Sequence, residues 1–134
     1  MKVVFDTNVF VSAFIVPGGK GEEALLLALR RKVDLYTSVP ILTETTRILR
    51  IKFDQPERDV VATLKLISRA ATIVRPPRTI QVLEDLPDNR ILECAVSAQV
   101  DLVVTGDHHI LALKQFEGIP LVRLADFLRM IPRE

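Results

Sequence analysis

Short Val-rich runs alternate along this chain with longer stretches of helical periodicity, and this alternation restricts the fold more than any other feature. Short β-branched runs favour strands, and apolar residues three or four apart favour amphipathic helices. Strands separated by helices form βαβ units with parallel strands. The predicted strands are Lys2–Asp6, Val33–Tyr36, Thr72–Val74, Asp101–Thr105 and Pro120–Arg123. The predicted helices lie near Val9–Ile15, Glu22–Arg31, Ile41–Ile51, Glu57–Ala70, Asp88–Ala98, His109–Lys114 and Leu124–Met130.

The length and composition fit one α/β domain that spans residues 1–134. Hydrophobic residues make up 49% of the chain but aromatic residues only 5%, so the core must consist of Val, Ile, Leu and Ala. Such a core is typical of a buried parallel sheet covered by helices. We therefore expect a three-layer α/β/α fold with about five strands in the order 3-2-1-4-5. Ligands of such sheets bind at the carboxyl ends of the strands.

The charge pattern and the lone cysteine indicate the setting in which the chain works. The formal net charge is +1 with both signs mixed along the chain, so contact with nucleic acid must depend on local patches. The chain shows no apolar signal region and no run long enough to cross a membrane. Cys94 has no partner for an internal disulfide and falls on an apolar helix face, where it is predicted to be a small core residue. These features predict a cytoplasmic location.

Four acids are predicted to meet at one edge of the sheet. Asp6 ends the first strand and Asp107 follows the fourth. Strands 1 and 4 are neighbours in this order, so their backbones would lie about 4.8 Å apart. Glu44 lies in the first turns of the helix after strand 2, and Asp88 opens the helix that leads into strand 4. All four side chains are therefore expected to face one crevice.

A cluster of carboxylates needs a cation to neutralise it, and an all-oxygen ligand set suits Mg²⁺ or Mn²⁺. Such ions bridge carboxylates to phosphate oxygens and activate water, which is the chemistry of phosphodiester cleavage. Asn8 and Thr105 are predicted to orient a carboxylate or a metal-bound water through hydrogen bonds. Glu93 is a reserve candidate for a neighbour of the metal.

Each acid also has a purely structural interpretation. Asp6 and Asp107 are suited to cap helices, and Asp88 favours the positive end of a helix dipole. Glu44 is suited to an ion pair with Arg47 three residues later. The catalytic hypothesis therefore depends on the fold bringing all four together.

Basic side chains near the acids are candidates for binding substrate. Arg47 and Arg50 follow Glu44 at three-residue spacing and are candidates to contact a phosphate backbone, although pairing with acids explains them equally well. His108 and His109 are predicted to be exposed loop residues, because Mg²⁺ disfavours imidazole, with a role in binding substrate or Mn²⁺ as the alternative. A phosphatase of the haloacid-dehalogenase kind is disfavoured because it needs Asp-x-Asp on the first strand, where Asn8 takes the second place.

The same residues carry a family likeness, and the chain resembles PIN-domain proteins, specifically the small free-standing VapC-like toxins of toxin–antitoxin systems. The likeness covers nearly the whole chain. It rests on Val4-Phe5-Asp6-Thr7-Asn8-Val9, Leu42-Thr43-Glu44, Asp85-Leu86-Pro87-Asp88-Asn89-Arg90-Ile91-Leu92-Glu93-Cys94-Ala95 and Val103-Val104-Thr105-Gly106-Asp107. The relatives usually have Asp-Pro-Asp-Asp-Asn at the third motif, so this chain lacks one acid there. A Lys-Asp pair is common after the last motif, where His108 and His109 stand in this chain.

The resemblance implies Mg²⁺- or Mn²⁺-dependent cleavage of single-stranded RNA by a homodimer that an antitoxin protein restrains. It carries the acidic site onto Asp6, Glu44, Asp88 and Asp107, with Asn8 and Thr105 in support. The alternative is a catalytically silent PIN scaffold that binds RNA or a protein. Neither reading involves a membrane.

A homodimer is also favoured by the apolar character of two helices. The segments Glu22–Arg31 and Ile41–Ile51 carry more Leu and Ile than one stripe packed on a sheet should need. The excess is expected to cover a second copy of the chain or an antitoxin helix.

Overall fold

The computed structural model describes residues 1–132, in which six strands and seven helices alternate as expected. The strands are β1 (Lys2–Phe5), β2 (Asp34–Ser38), β3 (Ala71–Val74), β4 (Leu102–Val104), β5 (Gln115–Phe116) and β6 (Ile119–Val122). The helices are α1 (Thr7–Ile15), α2 (Lys20–Leu29), α3 (Val39–Ile51), α4 (Glu57–Ala70), α5 (Leu86–Ala98), α6 (His108–Leu111) and α7 (Leu124–Met130). In the described range, no helix has both the length and the apolar character needed to span a bilayer.

The strands form one sheet in the order β3-β2-β1-β4-β6-β5. All neighbouring pairs are parallel except β5 and β6. The predicted order 3-2-1-4-5 is confirmed, with β6 as the predicted fifth strand. β1 lies between β2 and β4, with Val3 opposite Leu35 on one side and Leu102 on the other. Its end is therefore flanked by the ends of both neighbours.

The short strand β5 was not predicted, and the helix predicted before it ends three residues earlier than expected. The segment His109–Lys114 was expected to be helical, but α6 ends at Leu111. The chain then folds back through Glu117 and Gly118, whose φ angles are 49° and 83°. Two consecutive residues with positive φ form the tight turn that suits a two-residue hairpin. β5 consequently pairs antiparallel with β6 at the edge of the sheet.

The core runs from the first strand to the last helix. Val3, Val4 and Phe5 are completely buried, as the central strand of a sheet covered on both faces requires. The ring of Phe5 lies 5.7 Å from those of both Phe10 and Phe127, between centroids. Cys94 is completely buried, in agreement with its predicted place in the core.

Most of the apolar excess on α2 and α3 is used inside the molecule. Helix α2 packs against α1, α4 and α7, and α3 packs against α1, α4 and α5. Leu25, Leu42 and Leu49 are buried, whereas Ile51 stays 70% exposed. The expectation that this apolar excess covers a partner overlooked the neighbouring helices. Only a small apolar surface on these two helices is therefore left to support a dimer.

An irregular segment, residues 75–85, connects β3 to α5 and is held by polar side chains of that helix. The Asn89 side-chain oxygen accepts hydrogen bonds from the backbone N–H groups of Val82 (3.2 Å) and Leu83 (2.8 Å). Its amide nitrogen donates to the Leu83 carbonyl at 2.8 Å. Glu93 accepts from the N–H of Ile80 at 2.8 Å. This set of contacts, which we call the α5 clamp, fixes the wall beside the end of β4.

Candidate active site

Asp6 lies at the junction between β1 and α1, where its side chain is almost fully buried. Its Oδ2 atom accepts a 2.6 Å hydrogen bond from the hydroxyl of Thr105, and its Oδ1 atom accepts a long 3.4 Å bond from the Asn8 N–H. The same Thr105 oxygen accepts a 3.0 Å bond from the N–H of Asp107. Thr105 therefore links the ends of β1 and β4 and fixes the Asp6 carboxyl in one orientation.

Asp107 caps α6. Its Oδ1 atom accepts hydrogen bonds from the backbone N–H groups of His109 (2.8 Å) and Ile110 (3.1 Å). The capping interpretation of this residue is therefore correct. Capping does not exclude a second role for Asp107, because this residue also lines the cleft that contains Asp6.

Asp88 occupies the first turn of α5, and its carboxyl is the least well hydrogen-bonded of the four. Its Oδ2 atom is buried and has no hydrogen-bond partner among the described residues. Burial, followed by the negative charges of Asp107, Asp85 and Asp6, raises the pKa of Asp88 to about 7, and His109 opposes the rise. Burial also raises the pKa of Asp6, although the hydrogen bond from Thr105 partly offsets this effect. Two buried acids that favour protonation thus lie close together.

Glu44 projects from α3 and forms an ion pair with Arg47. The guanidinium donates two hydrogen bonds to the carboxylate, of 3.0 and 2.6 Å. The structural interpretation of Glu44 is therefore also correct, yet both residues line the same cleft as Asp6. Because Arg47 is half exposed, water screens this pair and limits its contribution to stability.

All four predicted acids and Asn8 line one cleft of about 290 Å³ at the carboxyl edge of the sheet. Two further charged residues of the lining, Lys52 and Asp85, were not predicted as site residues. Glu44, Ile48 and Lys52 follow one another at four-residue spacing, which places them on one helix face. This spacing could have identified Lys52 as a site residue. Asp85 could have been identified from its position as the N-cap of α5. The cleft lining comprises Asp6, Thr7, Asn8, Glu44, Arg47, Ile48, Lys52, Asp85, Pro87, Asp88 and Asp107.

Three other candidates lie outside the cleft. Arg50 donates two hydrogen bonds, of 2.9 and 2.8 Å, to Glu57 on α4. His108 is exposed at the start of α6 and does not line the cleft. Glu93 pairs with Arg90 and belongs to the α5 clamp. The Arg50 side chain turns toward Glu57 and therefore does not line the cleft.

The donor chemistry of the cleft fits a hard divalent cation. Its acids offer only oxygen ligands, and the buried Oδ2 atom of Asp88 has no other partner among the described residues. In residues 1–132, however, no three His, Cys, Asp or Glu side chains are already arranged to hold a metal ion. The ligand types therefore fit, and the acids would have to move together to bind a metal.

Comparisons with known proteins agree with the fold. The family model of the PIN domain matches residues 2–109, a span that contains all four acids. An uncharacterized protein of Methanocaldococcus jannaschii is 33% identical over 119 residues, which cover 85% of this chain and 76% of that protein. The chain belongs to the PIN domain family, whose members are generally nucleases and typically use divalent metals.

A solved structure shares the architecture. A chain in the crystal structure of VapBC2 from Rickettsia felis bound to a DNA fragment from their promoter superposes with a TM-score of 0.64. The match covers 92% of this chain and 98% of that chain, at 15% sequence identity. At this identity the likeness concerns the fold alone.

Proposed function

We propose that this chain is a metal-dependent endoribonuclease that cleaves single-stranded RNA and acts as a single PIN domain over residues 1–134. The observation that carries the proposal is the pair of buried carboxyls, Asp6 and Asp88, in a cleft that Asp107 and Glu44 also line. Burying charged acids together is unfavourable, and a bound cation would relieve this cost at a pH where the carboxyls are ionised.

Asp6, Glu44, Asp88 and Asp107 are the proposed metal ligands, for Mg²⁺ or Mn²⁺. Such a cation, when bound, polarises a phosphate oxygen and lowers the pKa of a water molecule. Thr105 holds Asp6 in place through its 2.6 Å hydrogen bond, and Asn8 supports the same carboxyl from the start of α1. These two residues have positioning roles.

Arg47 and Lys52 are the proposed contacts for the RNA backbone. Arg47 lies on α3 and Lys52 directly follows its last residue; both line the cleft next to the acids, and both are exposed enough to meet a phosphate. Two cations beside the cleft would guide a phosphate toward an otherwise acidic site. Arg47 would then share its charge between Glu44 and the substrate.

A toxin role, with an antitoxin as partner, is the proposed biological setting. The support is the similarity of the motifs to VapC-like toxins, together with the shared fold of a chain from VapBC2. A homodimer is proposed on the same resemblance, and a cytoplasmic location follows from the proposed RNA substrate.

Turnover of RNA by the purified protein tests the proposal. We expect a mixed single-stranded RNA pool to be cut with Mn²⁺ or Mg²⁺ and to remain intact with a chelator. The Asp6→Asn variant keeps the volume of the side chain and removes its charge, so it should fold normally and lose activity by roughly a hundredfold or more. Cleavage by this variant at the rate of the unaltered protein would show that the site is misplaced.

A catalytically silent PIN scaffold is the second candidate, and one observation favours it. The acids of the described residues are not arranged to hold a metal, and Glu44 is engaged by Arg47. RNA binding without any metal-dependent cleavage would support the scaffold. Metal-dependent cleavage that Asp6→Asn removes would exclude it.

A further inference from the structure

A second cavity, of about 330 Å³, lies beside the acidic cleft and shares two of its walls. Asp85 and Asp88 line both spaces, so the two form a continuous surface across the first turn of α5. The remaining walls come from the irregular segment and from α6: Val82, Leu83, Glu84, His109 and Ala112. The proposed catalytic role uses none of these five residues.

The walls of the two spaces differ in charge. Arg47 and Lys52 line the acidic cleft, whereas no Lys or Arg of the described residues lines the second cavity. The second cavity offers instead the apolar surfaces of Val82 and Leu83 and the imidazole ring of His109, and its charged walls are all acidic: Glu84, Asp85 and Asp88. A phosphate therefore fits the first space, and an uncharged planar group with a polar edge fits the second.

The irregular segment holds this cavity open through the α5 clamp. Asn89 binds the backbone of Val82 and Leu83, the two residues that form the apolar wall. Asn89 follows Asp88 directly on α5, so one helix positions both the wall and the acid. Because the wall is fixed before any ligand arrives, binding costs little conformational entropy.

We propose that this cavity is a subsite for one unstacked nucleobase of the RNA strand, next to the phosphate in the acidic cleft. The inference rests on the proposed function and adds to it the part of the substrate that is recognised. His109 stacks on the base, as aromatic rings do in proteins that bind single strands. Glu84 and Asp85 present oxygens that accept hydrogen bonds, so they favour bases with an exocyclic amino group over uracil.

Binding of short RNAs to the Asp6→Asn protein tests the subsite without requiring turnover. The probes are fluorescein-labelled octamers of adenylate, cytidylate and uridylate, and an octamer of abasic ribose phosphate, each titrated with Mn²⁺ present. We expect the adenylate octamer to bind about tenfold more tightly than the abasic octamer, with uridylate between them. Adding His109→Ala should remove most of this difference and leave the affinity for the abasic octamer unchanged.

His108→Ala provides the matched control. His108 is the exposed neighbour of His109 and lines neither space, so its substitution removes an imidazole from the same helix and should leave the base dependence intact. Both variants replace exposed residues of α6, and circular dichroism verifies that they remain folded.

The possible results distinguish a failure of the subsite from a failure of the proposed nuclease activity. Equal affinity for abasic and base-bearing octamers, or no measurable RNA binding, overturns the subsite even if the unaltered protein cleaves RNA. A base preference that depends on His109 supports the subsite even if no RNA is ever cut, in which case only the proposed nuclease activity fails.

Discussion

At the residue scale, Asp6 and Asp88 are both buried carboxyls, but their surroundings differ. Asp6 accepts hydrogen bonds from Thr105 and Asn8, which stabilise its charged form. The buried Oδ2 atom of Asp88 has no such partner among the described residues and faces the fields of three other acids. Without a cation, therefore, no hydrogen bond from the described residues offsets the cost of burying the Asp88 Oδ2 atom.

We predict that the stability of the metal-free protein depends on the protonation of Asp88. Folding raises the pKa of this residue from 3.8 to about 7, so its favourable contribution is complete below the unfolded pKa. The contribution is lost as the pH rises through about 7. In urea denaturation with a chelator present, the contribution of this group to the free energy of unfolding should fall between about pH 4 and 7. Asp88→Asn should flatten that slope, and an unchanged slope would contradict the assignment.

Asp107 permits a test that separates capping from catalysis. Asn caps helices about as well as Asp, so Asp107→Asn should keep the stability and lose RNA cleavage. Asp107→Ala also loses the hydrogen bonds to His109 and Ile110 and should cost about 1 kcal/mol more. Equal activity of the Asn variant and the unaltered protein would leave Asp107 with a capping role only. Thermal unfolding and RNA cleavage are measured in parallel.

The site residues at strand ends could be predicted from the sequence. Whether a helical residue reaches the cleft depends on the direction of its side chain, and this was not predicted for Lys52 and Arg50. Asp6 and Asp107 follow strands whose order can be inferred from the alternation, so their meeting follows from the topology. Lys52 reaches the cleft and Arg50 does not, although both lie at the end of the same helix. Arg50 turns toward Glu57 on α4, a tertiary contact that the local sequence does not encode.

At the element scale, α5 holds the irregular segment in place as well as carrying Asp88. We predict that Asn89→Ala destabilises the protein by about 1 to 3 kcal/mol, because backbone groups of Val82 and Leu83 lose partners in a partly buried setting. Hydrogen exchange should quicken at these two amides more than in the sheet. Chemical denaturation and amide exchange measure the two effects.

Arg78→Ala is the control for this prediction. Arg78 lies in the same irregular segment and forms an exposed ion pair with Glu117 at 2.7 Å. Exposed pairs contribute roughly 0 to 1 kcal/mol, so its removal should change the stability little. If both variants lose the same stability, the clamp is not the main constraint on the segment.

Elements with strong periodicity were predicted well, and the short ones near the C-terminus were not. Helix α4 was predicted with its observed bounds, because charged residues mark one face and apolar residues the other. The β5–β6 hairpin was missed, although Glu117-Gly118 between Phe116 and Ile119 fits a two-residue turn. A strand of two residues carries too little periodicity to outweigh an adjacent helical pattern.

At the scale of the whole molecule, a cation bound by the acids should raise the stability. Binding only to the folded protein adds RT ln(1 + [L]/Kd), roughly 2.7 kcal/mol at a hundredfold excess over Kd. We expect the melting temperature to rise with millimolar Mn²⁺, and the rise to shrink in Asp6→Asn. An unaltered protein whose melting curve ignores Mn²⁺ would contradict the proposed metal site.

Self-association remains a prediction that the exposed Ile51 can test. This side chain is 70% exposed at the end of α3, and Phe53 beside it is 43% exposed. If these residues cover a second copy, Ile51→Glu should convert a dimer into a monomer without loss of folding. Sedimentation at micromolar concentration measures the change. A monomeric unaltered protein would contradict the dimer.

The hydrogen bond between Thr105 and Asp6 joins residues that are 99 positions apart, and this separation determines when the cleft can form during synthesis. A ribosome adds roughly 5 to 20 residues per second, so Asp6 emerges several seconds before its partner exists. Until then β1 lacks one of its two neighbouring strands, and the acids have no shared wall. The nascent chain is therefore incapable of the proposed RNA cleavage until β4 and Thr105 have been synthesised and have paired with β1.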